Sequence, residues 1–240
     1  ERKKSERGAA VKRSDYVRME RRMLDQMDES DAAHGSKHVY RVLYLALDIA
    51  AHEPEADADV VIAACLLHDI ARAEQAKDPS VDHARAGAEK ARSLLLDEGF
   101  DAEFAQAVSD CVRTHRFRSD DPPVSLEAKI LFDADKLDVS GAVGAARTLQ
   151  YGTQFGEPLY TLDEAGRVCD GTGDAPDSFM REYRWKLQRI YGKFCTKRAE
   201  EIAASRRKAA QDFYDSVLRE LQEDYEIGQA QLSGCLREPD

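Results

Sequence analysis

Residues 65–72 read CLLHDIAR, a histidine and an aspartate side by side at the end of an apolar run. The run behind them, DADVVIAACLL at 57–67, is apolar on nearly all sides. That pattern predicts a central buried helix, because a surface helix carries only one apolar stripe. Polar groups brought into such surroundings need partners. What His68 and Asp69 hold therefore decides the reading of the chain. Adjacent helix residues point about 100° apart, so the two side chains flank a single ion lying against their helix but hardly complete its shell.

Outward from this stretch the pattern is helical nearly throughout. SDYVRMERRMLDQMD (14–28) spaces Tyr16, Met19, Met23 and Met27 as one helix face, with Ser14 as the expected N-cap. SKHVYRVLYLALDIA (36–50) places Val39, Val42, Leu43, Ala46 and Ile49 on a stripe. DHARAGAEKARSLLLDEGF (82–100) does the same with Ala84, Ala88, Ala91 and Leu95, and Gly99 suits a helix stop. DAEFAQAVSDCVRTH (101–115) aligns Phe104, Val108, Cys111 and His115, and SLEAKILFDADKLD (125–138) follows with Ser125 as its N-cap. Gly141 and Gly144 then loosen the pattern, and residues 151–176 form a long Gly-rich segment expected to be a loop or lid. From Asp177 to about Glu226 helix is expected again, with Tyr183, Leu187, Ile190, Tyr191 and Phe194 on a stripe. The expected organisation is a flexible tail over 1–13, a core over 14–150, the Gly-rich segment, and C-terminal helices over 177–240 packing on the core. There is no internal repeat and no strand series.

The 240 residues suit one large domain, and the 42% hydrophobic and 34% charged fractions are those of an ordinary globular protein. A formal net charge of −11 argues against broad binding of long nucleic acid, which needs positive surface. It leaves room for small phosphorylated substrates, because a local metal outweighs a distant field. Five cysteines without a Cys-x-x-Cys pair predict free thiols and a reducing compartment, hence a cytoplasmic location. No apolar run is long enough to suggest a membrane span, and the charged start ERKKSERGAA has no apolar signal segment behind it.

Six histidines stand at 34, 38, 52, 68, 83 and 115. His38 sits at the edge of its helix's apolar stripe and His115 continues one, so both point inward. A lone inward histidine is most simply a core residue bonded to a carbonyl. Several imidazoles and carboxylates together are better satisfied by one divalent cation, for which His nitrogen and Asp oxygen are suitable ligands. Of the aspartates at the end of the 125–138 helix, Asp135 shares the inward face of Ala128 and Leu131, and Asp138 follows on that face beside the ligands or the substrate. Asp133 points roughly opposite to Leu131 and reads as a solvated or capping carboxylate.

HVYRV at 38–42, LLHDIAR at 66–72 and AKILFDADKLDVSGAVGAAR at 128–147 resemble the HD superfamily of metal-dependent phosphohydrolases. Its signature of a histidine, a His-Asp doublet and a distant aspartate maps onto His38, His68, Asp69 and Asp135. The resemblance covers about residues 20–150 and extends less firmly into residues 179–213, which are similar to the C-terminal helices of a bacterial subgroup with nucleotide pyrophosphohydrolase activity. It implies an all-α fold, with a core of about five helices around the metal plus C-terminal helices. It implies one divalent ion (Mn, Mg, Fe, Co or Ni) on those four residues, with His68, Asp69 and Asp138 in the catalytic machinery. His83 and His115 either complete a second metal site, as in some HD proteins, or meet substrate phosphates beside a single ion, the preferred reading. His34, Lys136 and Lys186 are further candidates for phosphate contact, although Gly35 stands where many relatives carry an acidic residue. His52 reads as a surface histidine.

The implied reaction cuts a nucleoside triphosphate to a monophosphate and pyrophosphate by attack of metal-activated water. The alternatives are a nucleotide phosphomonoesterase or phosphodiesterase using the same site, or a metal-stabilised regulatory module with little turnover. A guanosine-tetraphosphate hydrolase is disfavoured, because the Glu-Asp pair such enzymes place shortly after the doublet is absent from HDIARAEQAKD. Kinase, dinucleotide-binding and serine-hydrolase motifs are also absent.

Overall fold

The computed structural model describes residues 11–27, 34–116, 121–173 and 175–235. The chain is all-α, as the periodicity predicts. Residues 1–10 of the expected tail lie outside the described residues, and Arg13 already opens the first helix. The chain divides into two compact units. The first comprises residues 1–138 with 195–199, and the second 139–194 with 200–240. The first boundary thus falls twelve residues before the expected end of the core at 150.

In the first unit, α1 (Arg13–Leu24), α2 (Ser36–Ala50), α3 (Ala58–Leu67), α4 (Arg72–Lys77), α5 (His83–Asp97), α6 (Ala102–Thr114) and α7 (Leu126–Asp138) follow in order. Helix α3 packs against α1, α2, α6 and α7. Its Val60, Val61, Ala63, Ala64, Cys65, Leu66 and Leu67 are all buried, so the expectation of a central helix holds. Truncating one such side chain, Leu67→Ala, removes packing worth about 2–5 kcal/mol. The other helices bury the stripes read from the sequence, among them Met19 and Met23, Val39 and Val42, Ala88 and Leu95, and Val108 and Cys111.

The caps are local chemistry. Asp57, Asp82 and Asp101 accept backbone amides at the starts of α3, α5 and α6, which have no intrahelical acceptor. The Ser125 hydroxyl accepts from Ala128 N at the start of α7, as expected. Ser14 is not a cap: α1 begins one residue earlier, and the Asp15 carboxylate bonds back to Lys12 N at 2.8 Å. Gly99 ends α5 at φ 87°, where Phe100 N reaches Leu95 O.

The second unit contains α8 (Gly141–Gln154), α9 (Phe179–Trp185), a 3₁₀ turn (Leu187–Arg189) and most of α10 (Lys197–Cys235). Gly141 and Gly144 open a helix here and do not dissolve one. At Gly144 a Cβ would lie 2.2 Å from the Val139 carbonyl, so only glycine allows that approach. The continuous helix expected from Asp177 is interrupted at Ile190–Thr196, with Gly192 at φ 106°. This unit has its own core, with Tyr183 stacked on Tyr214 and surrounded by Ala145, Phe179, Met180, Leu187 and Ala210. Among the described residues the Gly-rich segment carries an isolated bridge, Leu162–Val168, and no helix of the structure is long and apolar enough to cross a membrane. All five cysteines are free.

Candidate metal centre

Four histidines converge on Asp69, and their positions on the helices differ in a systematic way. His68 is the C-cap of α3 and His115 the C-cap of α6. The last carbonyls of a helix have no intrahelical donor. His68 Nδ1 lies 2.8 Å from Cys65 O and His115 Nδ1 lies 2.6 Å from Val112 O, each ring turning back three residues onto such a carbonyl. His38 is the third residue of α2, and His83 the first of α5. A helix start presents amide N–H groups and no free carbonyl, so these two rings find side-chain partners. His38 Nδ1 is 2.7 Å from Asp138 Oδ2, and His83 Nδ1 is 2.5 Å from Gln75 Oε1.

A carbonyl or carboxylate oxygen accepts only, and every Nδ1 contact (2.5–2.8 Å) is shorter than the Nε2 distance to Asp69 (3.3–3.7 Å), so a neutral ring keeps its hydrogen on Nδ1 and leaves Nε2 with its lone pair. All four Nε2 atoms face the same carboxylate. His38 Nε2 and His68 Nε2 each lie 3.7 Å from Asp69 Oδ2, and 3.3 Å from one another. His83 Nε2 and His115 Nε2 lie 3.3 and 3.7 Å from Asp69 Oδ1. Asp135 Oδ1 comes within 3.4 Å of His38 Nε2. Asp69 and all four imidazoles are buried, and Asp69 Oδ1 has no hydrogen-bond donor among the described residues. Lone pairs gathered round a buried carboxylate with no hydrogen between them repel one another. A cation removes that repulsion, and the fit is that of N/O ligands oriented by outer partners. Two ligand triads share Asp69: His38, His68 and Asp69, and Asp69, His83 and His115.

Burial lowers His83 to about 3 and His115 to about 4, so both are neutral and able to ligate near pH 7. Burial alone would raise Asp69, but the surrounding imidazoles, His68 foremost, hold it well below the usual carboxylate range. Asp135 is likewise lowered: the histidines, His38 foremost, outweigh the opposing effect of burial.

The remaining predicted residues fall in several places. Asp138 accepts from Arg41 Nε at 2.6 Å and Arg41 Nη2 at 3.0 Å as well as from His38. That geometry lets it orient the His38 ring from beside the ligand, one of the two places its helix face left open for it. Asp133 is buried, not solvated. It accepts from Cys195 N, Thr196 N and Thr196 Oγ1 just before α10, which is the capping half of its expected role. His34 packs edge-on to His38 at 5.7 Å, and Arg72 Nη2 donates to its Nε2 at 3.1 Å. Lys136, expected at phosphate, is buried with Nζ 3.3 Å from the Phe132 ring centre. Lys186, also expected there, belongs to the second unit, where it is exposed and pairs with Glu182 at 2.7 Å. His52 is exposed, as expected, and bonds Asp48 O. The outer partners Arg41 and Gln75 were not read from the sequence. Only Arg41 left a trace, one turn after His38 on the same helix face.

A family model for the HD domain matches residues 35–140. The protein YpgQ of Bacillus subtilis strain 168 is 31% identical over 201 residues, spanning 82% of this chain and 86% of that one. The chain belongs to the HD superfamily. A predicted HD superfamily hydrolase from an uncultured Thermotogales bacterium superposes with a TM-score of 0.57 at 32% identity, over 86% of this chain and 91% of that one. A Lactobacillus plantarum protein gives 0.69 at 23% identity, over 88% and 98%, a likeness of fold. Bacillus subtilis YpgQ, solved in complex with ADP, gives 0.65 at 23% over 86% and 97%. The HD protein described here is accordingly a metal-dependent phosphohydrolase, and its His/Asp cluster could hold a divalent ion.

Proposed function

We propose that this HD enzyme hydrolyses nucleoside triphosphates to a monophosphate and pyrophosphate. The observation that carries the metal chemistry is the convergence of four Nε2 lone pairs on Asp69, whose Oδ1 is buried without a donor among the described residues. The nucleotide is supported by the ADP found with the relative YpgQ and by the likeness to the pyrophosphohydrolase subgroup. His38, His68, Asp69 and Asp135 would hold the principal ion, and Asp69, His83 and His115 a second. Bound there, a divalent ion supplies hydroxide near neutral pH and polarises a phosphoryl oxygen.

The chain's own residues do the rest. Asp69, kept ionised, offers an oxygen to the proton of the attacking water. The half-buried Arg72 guanidinium contacts Gln75, His34 and His83 and has no carboxylate partner among the described residues. It offers charge-assisted bonds to developing negative charge on a phosphate. Asp138 and Arg41 hold the His38 ring.

The test is an assay of the purified protein against nucleoside mono-, di- and triphosphates with Mn, Mg or Co, with phosphate and pyrophosphate measured separately. One pyrophosphate per monophosphate from triphosphates is expected. Release of inorganic phosphate alone would replace this reading with a phosphomonoesterase. No turnover of any nucleotide, in protein that binds metal, would leave a regulatory module.

A further inference from the structure

Three of the four imidazoles are oriented by groups that offer only an acceptor: two backbone carbonyls and the carboxylate of Asp138. His83 differs, because its partner Gln75 is an amide, and an amide presents either an acceptor or a donor. Arg72 Nη1 lies 3.3 Å from Gln75 Oε1. Arginine only donates, so this contact selects the amide oxygen as the atom shared with His83. The same guanidinium nitrogen lies 3.2 Å from His83 Nδ1, farther than the 2.5 Å to Gln75 Oε1. Two neighbours therefore compete for one ring nitrogen with opposite consequences. Gln75 puts the hydrogen on Nδ1 and leaves Nε2 as a lone pair. Arg72 alone would donate to Nδ1 and put the hydrogen on Nε2.

We propose that Gln75 is a positioning residue that fixes the His83 tautomer, and thereby makes His83 a metal ligand of the Asp69–His83–His115 triad and not a phosphate donor. A neutral imidazole must offer a lone pair to a metal and an N–H to a phosphate oxygen, so the tautomer separates the two roles. Arg72 acts through Gln75 by choosing which end of the amide faces the ring. The proposal rests on the two-triad reading of the cluster, and the test keeps the two apart.

Gln75→Leu removes the acceptor and leaves Arg72 as the neighbour of Nδ1, whereas Gln75→Glu keeps an acceptor there. Long-range ¹H–¹⁵N correlation spectra of the metal-free wild type should show His83 as the Nδ1–H tautomer. Gln75→Leu should switch it to Nε2–H, and Gln75→Glu should restore it. With Mn added, Gln75→Leu should weaken the second equivalent by about 10–100-fold and leave the first unchanged, with Gln75→Glu close to wild type. An unchanged His83 tautomer in a folded Gln75→Leu protein would overturn the proposal, as would full retention of the second equivalent. A wild type that binds one ion only, while the tautomer still follows residue 75, would overturn the second metal site and the ligand role of His83 but not Gln75's control of the ring.

Discussion

The histidines at helix ends and those at helix starts reach the same carboxylate by different means. His68 and His115 are oriented by Cys65 O and Val112 O, atoms that every residue type supplies. His38 and His83 depend on Asp138 and Gln75, side chains that a single substitution deletes. The difference follows from helix polarity: unpaired carbonyls occur only at the C-terminal end. Half of the histidine cluster is therefore oriented by backbone geometry and half by side chains, and only the second kind of orientation is lost through a single substitution of the partner.

The largest expected effect of breaking that comparison is at Asp138. Asp138→Leu removes the acceptor from His38 Nδ1 and strands Arg41, and Mn affinity should fall by about 10–100-fold in a protein that still folds. Isothermal titration measures it. An unchanged affinity would mean that the His38 ring is held by something other than Asp138.

A second expectation concerns pH and spans both kinds of histidine. His83 and His115 have folded pKa values of about 3 and 4, below the ordinary 6.5. Between pH 6.5 and 4 the unfolded chain takes up protons that the folded chain refuses, so the metal-free protein should lose stability as pH falls through that window. Asp69 and Asp135, lowered as carboxylates, lose their contribution only below about pH 4. Melting curves of chelated protein check this, and a flat Tm across the window would contradict neutral burial of the two rings.

Asp133 separates a carboxylate that serves a helix start from one that serves a ligand. It lies on α7 two residues before Asp135, yet its partners are Cys195 N, Thr196 N and the Thr196 hydroxyl. Asp133→Ala should cost about 1–3 kcal/mol through stranded donors, with metal affinity per folded molecule retained. Loss of metal in the folded variant would place Asp133 at the ion.

The smallest effect is expected at a helix end. Val112→Ala keeps the carbonyl that orients His115, so metal affinity should be unchanged while packing loss lowers stability by about 1–2 kcal/mol. A tenfold loss of affinity would show that backbone orientation is not sufficient.

Much of this was legible in the sequence because it depends on helical phase. The apolar run at 57–67, the stripe carrying His38 and the inward face of Asp135 follow from a 3.6-residue period, and the metal ligands follow from it together with the family resemblance. Asp138 was legible as a residue beside the ligands, but the outer pairings were not, because they join residues far apart in sequence: Asp138 with His38 and Arg41, Asp133 with Thr196. Gln75 is eight residues from His83, across a turn that no periodicity describes. The packing of Lys136 over Phe132 was not legible either, because adjacency to Asp135 in sequence says nothing of where a lysine stem packs. The Gly141–Gly144 segment read as loose because glycine is a poor helix former, whereas Gly144 allows the close approach of the Val139 carbonyl in the first turn of α8.

Whether the four Nε2 atoms and Asp69 hold metal is read from anomalous diffraction at the manganese edge, in crystals grown with Mn. Anomalous density is expected beside Asp69 on both sides, within about 2.0–2.4 Å of His38 and His68 Nε2 on one and of His83 and His115 Nε2 on the other. Ordered side chains at these positions with no anomalous density between them, in crystals that contain manganese elsewhere, would contradict it.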